Sequence, residues 1–166
     1  YCLAGAAEEL NEISVQTYRR FGLNIKPGEG AAFLLLERMD DAVKRDKKAF
    51  AVIRASTSMF SYKDNKRDSV INCLQRCLDK AGLSAENISD VFVNAEEEAL
   101  KDHLPSVRNI TGILGEAFCV TTFFHIIIAS HAICKNTDTG KKAIICGLSV
   151  DGCAGSLILT GHDKSK

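Results

Sequence analysis

Apolar positions recur along the chain at two periods, and the switches between them mark out its elements. Residues 1–4 read as the tail of a strand, with Gly5 starting a turn. From Ala6 to Phe21 the residues Leu10, Ile13, Val15, Tyr18 and Phe21 return near helical spacing, and Gly22 supplies a stop. Next comes Lys26-Pro27-Gly28-Glu29-Gly30, then six uninterrupted apolar residues from Ala31 to Leu36, closed by Glu37-Arg38. The proline and glycines predict a tight turn. A run with no polar alternation predicts a strand buried on both faces. Met39–Arg45 reads as a short helix. Phe50, Val52, Ile53 and Ala55 alternate loosely within 49–57, a second strand expected beside its predecessor.

The polar stretch 61–68 predicts a surface loop. Asp68 then caps a helix carrying Val70, Ile71, Leu74, Leu78 and Ala81, ended by Gly82. Residues 83–88 read as a cap and turn, and Val91–Asn94 as a compact buried strand. Glu96–His103 is expected to be helical up to the break at Pro105, with 106–114 irregular. Gly115 starts a long apolar helix over Glu116–Cys134. Ala143–Leu148 and Ser156–Thr160 then form a hairpin around a glycine-containing loop. Alternating strands and helices with a closing hairpin predict an α/β domain, a mixed sheet covered by helices. It should occupy residues 1–161, with 162–166 a tail. A domain rarely begins inside a buried strand, so further sequence is expected upstream of Tyr1.

Composition narrows the function classes. In 166 residues, 21 basic side chains balance 21 acidic ones. The chain therefore has no global pull toward nucleic acid or an anionic membrane. No apolar run reaches the roughly 20 residues of a membrane span, and the opening residues have no charged leader. The seven cysteines are odd in number and have mostly apolar neighbours. That suits reduced thiols of a cytoplasmic protein better than a disulfide framework. Cys73 and Cys77 lie four apart on one helix face, as a metal or redox pair or simply as small core residues. With no CxxC and no nearby histidine, no metal is expected.

Five stretches, in order, resemble the β-ketoacyl-acyl-carrier-protein synthases, the condensing enzymes of the thiolase superfamily. Ala4-Gly5-Ala6-Ala7-Glu8-Glu9-Leu10 is similar to that family's Gly-Gly-x-Glu-x-Leu segment, and Pro27-Gly28-Glu29-Gly30-Ala31 through Arg38 to its Pro-Gly-Glu-Gly-Ala signature. Ala81-Gly82-Leu83-Ser84 with Ile88 resembles its turn before the next strand. Val93-Asn94-Ala95 resembles the start of Val-Asn-Ala-His-Gly-Thr, and Gly155–Leu159 the strand after the Phe-Gly-Gly-Thr-Asn loop. The resemblance implies a thiolase-like mixed sheet covered by helices, one half of the usual duplicated fold.

The family's chemistry uses a cysteine thiolate to take up the acyl group and two basic nitrogens to promote decarboxylation of a malonyl unit. The matching positions differ here. No cysteine fits the nucleophile motif, and Cys2 lies in a strand with no helix terminus to activate it. Glu96 stands where the first histidine is expected, and Glu116 where the second is, in a Gly115-Glu116 pair. Thr111 falls where a lysine belongs. Val150 stands near the aromatic that gates the acyl pocket, and Asp151 replaces a glycine. No residue is assigned as catalytic; Glu96 and Glu116 are the candidates, each also readable as an acidic helix start. Val150 is the substrate-binding candidate. His125 and His131 match no family position and read as core histidines hydrogen-bonded among apolar neighbours.

These departures imply a non-catalytic partner, similar to chain-length-factor subunits, that shapes or stabilises an active ketosynthase in fatty-acid or polyketide-type assembly. Such a subunit would dimerise, would leave a large apolar face on the isolated chain, and would meet an acyl carrier protein at a local basic patch. The competing reading is the C-terminal piece of an active condensing enzyme, paired with its own N-terminal half, whose nucleophilic cysteine lies upstream. A stand-alone acyl-coenzyme A module is the third. It would need a phosphate entrance from Arg19 and Arg20 or from Lys44, Arg45, Lys47 and Lys48. No bound cofactor is implied by any of the three.

Overall fold

The computed structural model describes residues 1–23, 25–60, 66–94, 100–104, 106–135, 140–149 and 152–162. Its strands are β1 (Cys2–Glu8), β2 (Gly30–Leu36), β3 (Val52–Phe60), β4 (Asp90–Val93), β5 (Val107–Arg108), β6 (Lys142–Leu148) and β7 (Cys153–Thr160). Its helices with both ends among the described residues are α1 (Glu12–Arg20), α2 (Met39–Lys44), α3 (Lys66–Ala81), α4 (Thr111–Leu114) and α5 (Cys119–Lys135), with a 3-10 turn at Ala85–Asn87. β1 and β2 form an antiparallel pair. The other five strands form a mixed sheet in the order β3-β7-β6-β4-β5, with β4 parallel to both β5 and β6.

Strand alternation sorts the core into two sides. Val91, Val93, Ile144, Cys146, Ala154 and Ile158 point toward α3, which answers with Val70, Cys73, Leu74, Cys77, Leu78 and Ala81 at helical spacing. Phe92, Ala143, Ile145 and Leu159 point the other way, onto Ala129 and Ile133 of α5. The far side of α5 packs on the β1–β2 pair through Val120, Phe123 and Phe124 against Ala6 and Ala32. The layers therefore run α3, five-stranded sheet, α5, two-stranded sheet. α5 is apolar nearly all round because sheets lie on two of its sides.

The charged end of β4 is held by Asp90, which is buried and pairs with Arg108 of β5 at 3.0 Å and with Lys141 at 2.9 Å. This ties the short edge strand and the entry to β6 onto the same carboxylate. Two acceptor oxygens serve two cations, so the buried charge is compensated.

Five expectations need correction. Helix did not begin at Ala6. β1 runs through Gly5 to Glu8, and α1 starts at Glu12 behind Asn11, whose Oδ1 accepts the Ser14 amide at 2.9 Å. Gly5 is no turn residue but the strand partner of Phe33, whose ring covers it so closely that a Cβ there would lie 2.2 Å from Phe33 Cδ1. β3 pairs with β7, not with its predecessor β2. β2 is covered on one face only: Ala31, Phe33 and Leu35 are exposed. Finally, 106–114 is not irregular throughout, since it holds β5 and α4.

The terminal hairpin, the α3 and α5 regions, the turn at 83–88 and the strand near 91–93 match the expectations to within a few residues, although α3 starts at Lys66, so Asp68 lies in its first turn and not at its cap. No disulfide joins any of the seven cysteines, and Cys73 and Cys77 are buried in the α3 core. Among the described residues no helix is long and apolar enough to cross a membrane.

Candidate functional site

The Pro-Gly-Glu-Gly stretch is explained by what it docks against. The Gly28 amide donates to the Glu116 carbonyl at 2.9 Å, and the Glu116 amide donates to the Lys26 carbonyl at 2.7 Å. The two backbones approach so closely that a Cβ on Gly28 would lie 2.4 Å from the Leu114 carbonyl oxygen. A Cβ on Gly115, which sits at φ +80°, would lie 2.8 Å from Gly28. Only glycine fits either position. Glu29 between the glycines accepts the Leu10 amide at 3.2 Å and so ties the turn to the end of β1. One backbone clasp thus fixes the start of β2 and the entrance to α5 together, and it places Glu116.

Glu116 opens onto a cleft of about 740 Å3 at the C-terminal ends of β4 and β6 and the N-terminal end of α5. Open α/β sheets bind ligands at this end of their parallel strands. Leu23 and Ile25 of the α1–β2 connection form one wall. Gly147, Leu148 and Ser149 with Cys153, Gly155 and Leu157 of the hairpin form the other, and Phe118 and Cys119 sit at the rim. The Phe118 ring is held against Tyr18 at 4.9 Å, whose hydroxyl donates to Glu8 at 2.9 Å, so α1 braces this rim.

The Glu116 carboxylate is half-buried. Its Oε1 accepts the Thr121 hydroxyl at 2.8 Å, and that hydroxyl oxygen accepts the Ala117 amide at 2.9 Å. Burial pushes the Glu116 carboxyl above its usual range, partly opposed by the Thr121 hydroxyl and the Phe118 amide. Asn94 has a different task. Its side-chain amide pairs with Leu148 in both directions, at 2.9 Å and 3.4 Å, and extends the β4–β6 ladder by one side chain. It shapes the cleft floor.

The other candidates separate from this centre or fall outside it. Glu96 and Val150 lie outside the described residues. Thr111 starts α4 with both its amide and its hydroxyl on Asn109 Oδ1, at 2.9 Å and 2.7 Å. His131 is exposed. His125 is fully buried against Phe92, with ring centroids 5.8 Å apart, yet neither ring nitrogen has a hydrogen-bond partner. That corrects the expectation of a satisfied core histidine. Burial without a partner pulls its imidazole down to about 4. Two exposed thiols, Cys119 and Cys153, line the cleft and were missed in the sequence. The available signal was Cys119's place three residues after Glu116, at the head of the apolar helix.

No family model matches the chain, and no curated protein matches its sequence. Solved structures do match its fold. The ishigamide ketosynthase/chain length factor superposes with a TM-score of 0.86 at 21% identity, over 97% of this chain and 49% of that one. The fold is that of a ketosynthase-like, thiolase-type domain. The ketosynthase from module 6 of the bacillaene synthase of Bacillus subtilis 168 (the C167S mutant) follows with a TM-score of 0.84 at 15% identity, over 99% of this chain and 42% of that one. A type II polyketide ketosynthase in complex with its acyl-carrier protein gives 0.82 at 15%, over 97% and 56%. This chain spans about half the length of the ketosynthase chains it matches. The thiolase-like fold implied by the five sequence stretches is therefore present, as about half of what those larger chains contain.

Proposed function

We propose that this chain is a ketosynthase-like subunit of fatty-acid or polyketide-type biosynthesis that carries out no condensation itself and instead shapes or stabilises an active ketosynthase. The observation that supports the reading is Glu116: the sheet-end cleft of a ketosynthase-like fold is retained, and a carboxyl group occupies the position where the resemblance places an imidazole. An ionised carboxylate cannot donate a hydrogen bond to an enolate oxygen, and it repels a malonyl carboxylate. The exposed apolar face of β1–β2 gives such a subunit something to bury against a partner. In this reading the chain works in the cytoplasm, dimerises with the synthase and is visited by an acyl carrier protein. Co-expression with the ketosynthases of the same genome tests it. One of them should co-purify in a defined stoichiometry, and omitting this chain should alter the length or yield of its product.

A second reading is favoured by one observation, the half-length match to single ketosynthase chains. There the chain is the C-terminal piece of an active acyltransferase with its nucleophilic cysteine upstream. Malonyl decarboxylation by the protein with any upstream segment present, lost on Glu116→Gln, would favour this second reading over the first.

A further inference from the structure

We propose that the cleft takes an apolar chain that ends in a hydrogen-bond donor and carries no negative charge, and that Glu116 selects it. The inference rests on the reading of this cleft as a binding site and goes on to name the ligand's chemistry. Among the described residues that line the cleft, Glu116 is the one charged group, and no lysine, arginine or histidine balances it. The walls are otherwise mostly apolar, which selects an apolar body.

The remaining polar groups are largely engaged within the protein. Asn94 is paired with the Leu148 peptide. Thr57 donates to the Cys73 carbonyl at 2.9 Å, and the Ser149 hydroxyl is bonded to the Cys153 backbone. A carboxylate offers roughly four acceptor sites. The Thr121 hydroxyl and the Phe118 amide take two of Glu116's. The sites left over want a donor. In a half-buried setting an ammonium, amide or hydroxyl head gains a charge-assisted bond there, whereas a carboxylate, sulfonate or phosphate meets a like charge with no cation to relieve it.

Calorimetry on this 166-residue chain with three probes of one chain length tests the assignment. At pH 8 octylamine and octanol should bind, and octanesulfonate should bind at least about tenfold more weakly. Glu116→Gln should shrink the amine-to-sulfonate ratio by about the same factor. Adsorption to other apolar surface would leave that ratio unchanged. The pH dependence of the wild type gives a check that needs no variant. Octanesulfonate stays ionised throughout, so its affinity should rise as pH falls through the Glu116 titration. Sulfonate binding as tight as amine binding, a ratio untouched by Glu116→Gln, or no binding of any probe would each overturn the proposal. Charge selectivity in a chain that joins no ketosynthase would leave the ligand class standing and remove the partner reading. A ketosynthase complex without charge selectivity would do the reverse.

Discussion

Two side chains give the fold opposite responses to pH. His125 is buried without a partner, and its folded-state value of about 4 lies below the unfolded value near 6.5. The unfolded chain therefore takes up the proton first. The stability held at pH above 6.5 drains away as pH falls toward 4, by on the order of 3 kcal/mol. Replacing His125 with leucine should remove this slope and leave stability at pH 7 unchanged or improved, because no hydrogen bond is lost. Urea midpoints of both proteins at pH 7 and pH 4.5 would show it, and an acid slope identical in the two would contradict it. Glu116 acts the other way. Its carboxyl is raised when folded, so its contribution is complete below about pH 4.5 and fades as pH rises through the raised value. Glu116→Gln should flatten stability across that higher window, measurable in the same titration.

At the scale of elements, the clasp between residues 26–28 and 114–116 decides where β2 and α5 begin. Gly28→Ala forces a methyl against the Leu114 carbonyl, and should destabilise by about 2 kcal/mol or more, seen in the thermal or urea transition. Asp90→Asn should loosen β5 and the start of β6 by about 1–3 kcal/mol, with hydrogen exchange rising at Val107 and Arg108 first. Which elements were readable in the sequence follows from the same physics. α3 and the β6–β7 hairpin show in their own periodicity, because each buries a complete face within this chain, and α5 shows in its unbroken apolar length. β1 was misread because Ala4, Gly5, Ala6 and Ala7 are small, so strand alternation left almost no hydropathy contrast. It becomes visible only through Phe33, 28 positions further on. The Pro-Gly-Glu-Gly turn was legible as a turn but its partner at Gly115-Glu116 was not, since close backbone approach leaves no trace in side-chain pattern. The cleft was half-legible. Glu116 emerged from motif order, whereas Cys119 and Cys153 are brought to one cavity by the sheet.

At the scale of the molecule, the two-stranded sheet is the part left unfinished. Its inner face is packed on α5. Its outer face carries Leu3 beside Leu35, Gly5 beside Phe33 and Ala7 beside Ala31, with Leu3 and Leu35 both about two-thirds exposed. Ile127 and Ile128 of α5 are also exposed. The run Ala31–Leu36 has the composition of a strand buried on both sides, and this chain supplies one of them. In the proposed function, this apolar surface is the one that the partner polypeptide covers. Phe33→Ser with Leu35→Lys should raise the solubility of the isolated chain while abolishing any complex with a ketosynthase. Size-exclusion chromatography reads both effects, and an undiminished complex would place the interface elsewhere.

The most direct test of the account is malonyl decarboxylation and acyl condensation, measured for this protein alone, for a ketosynthase that co-purifies with it, and for the two together. The account predicts no turnover by the protein alone, with rate or product length changed when it joins the ketosynthase. Turnover by the protein alone, abolished by Glu116→Gln, would contradict it.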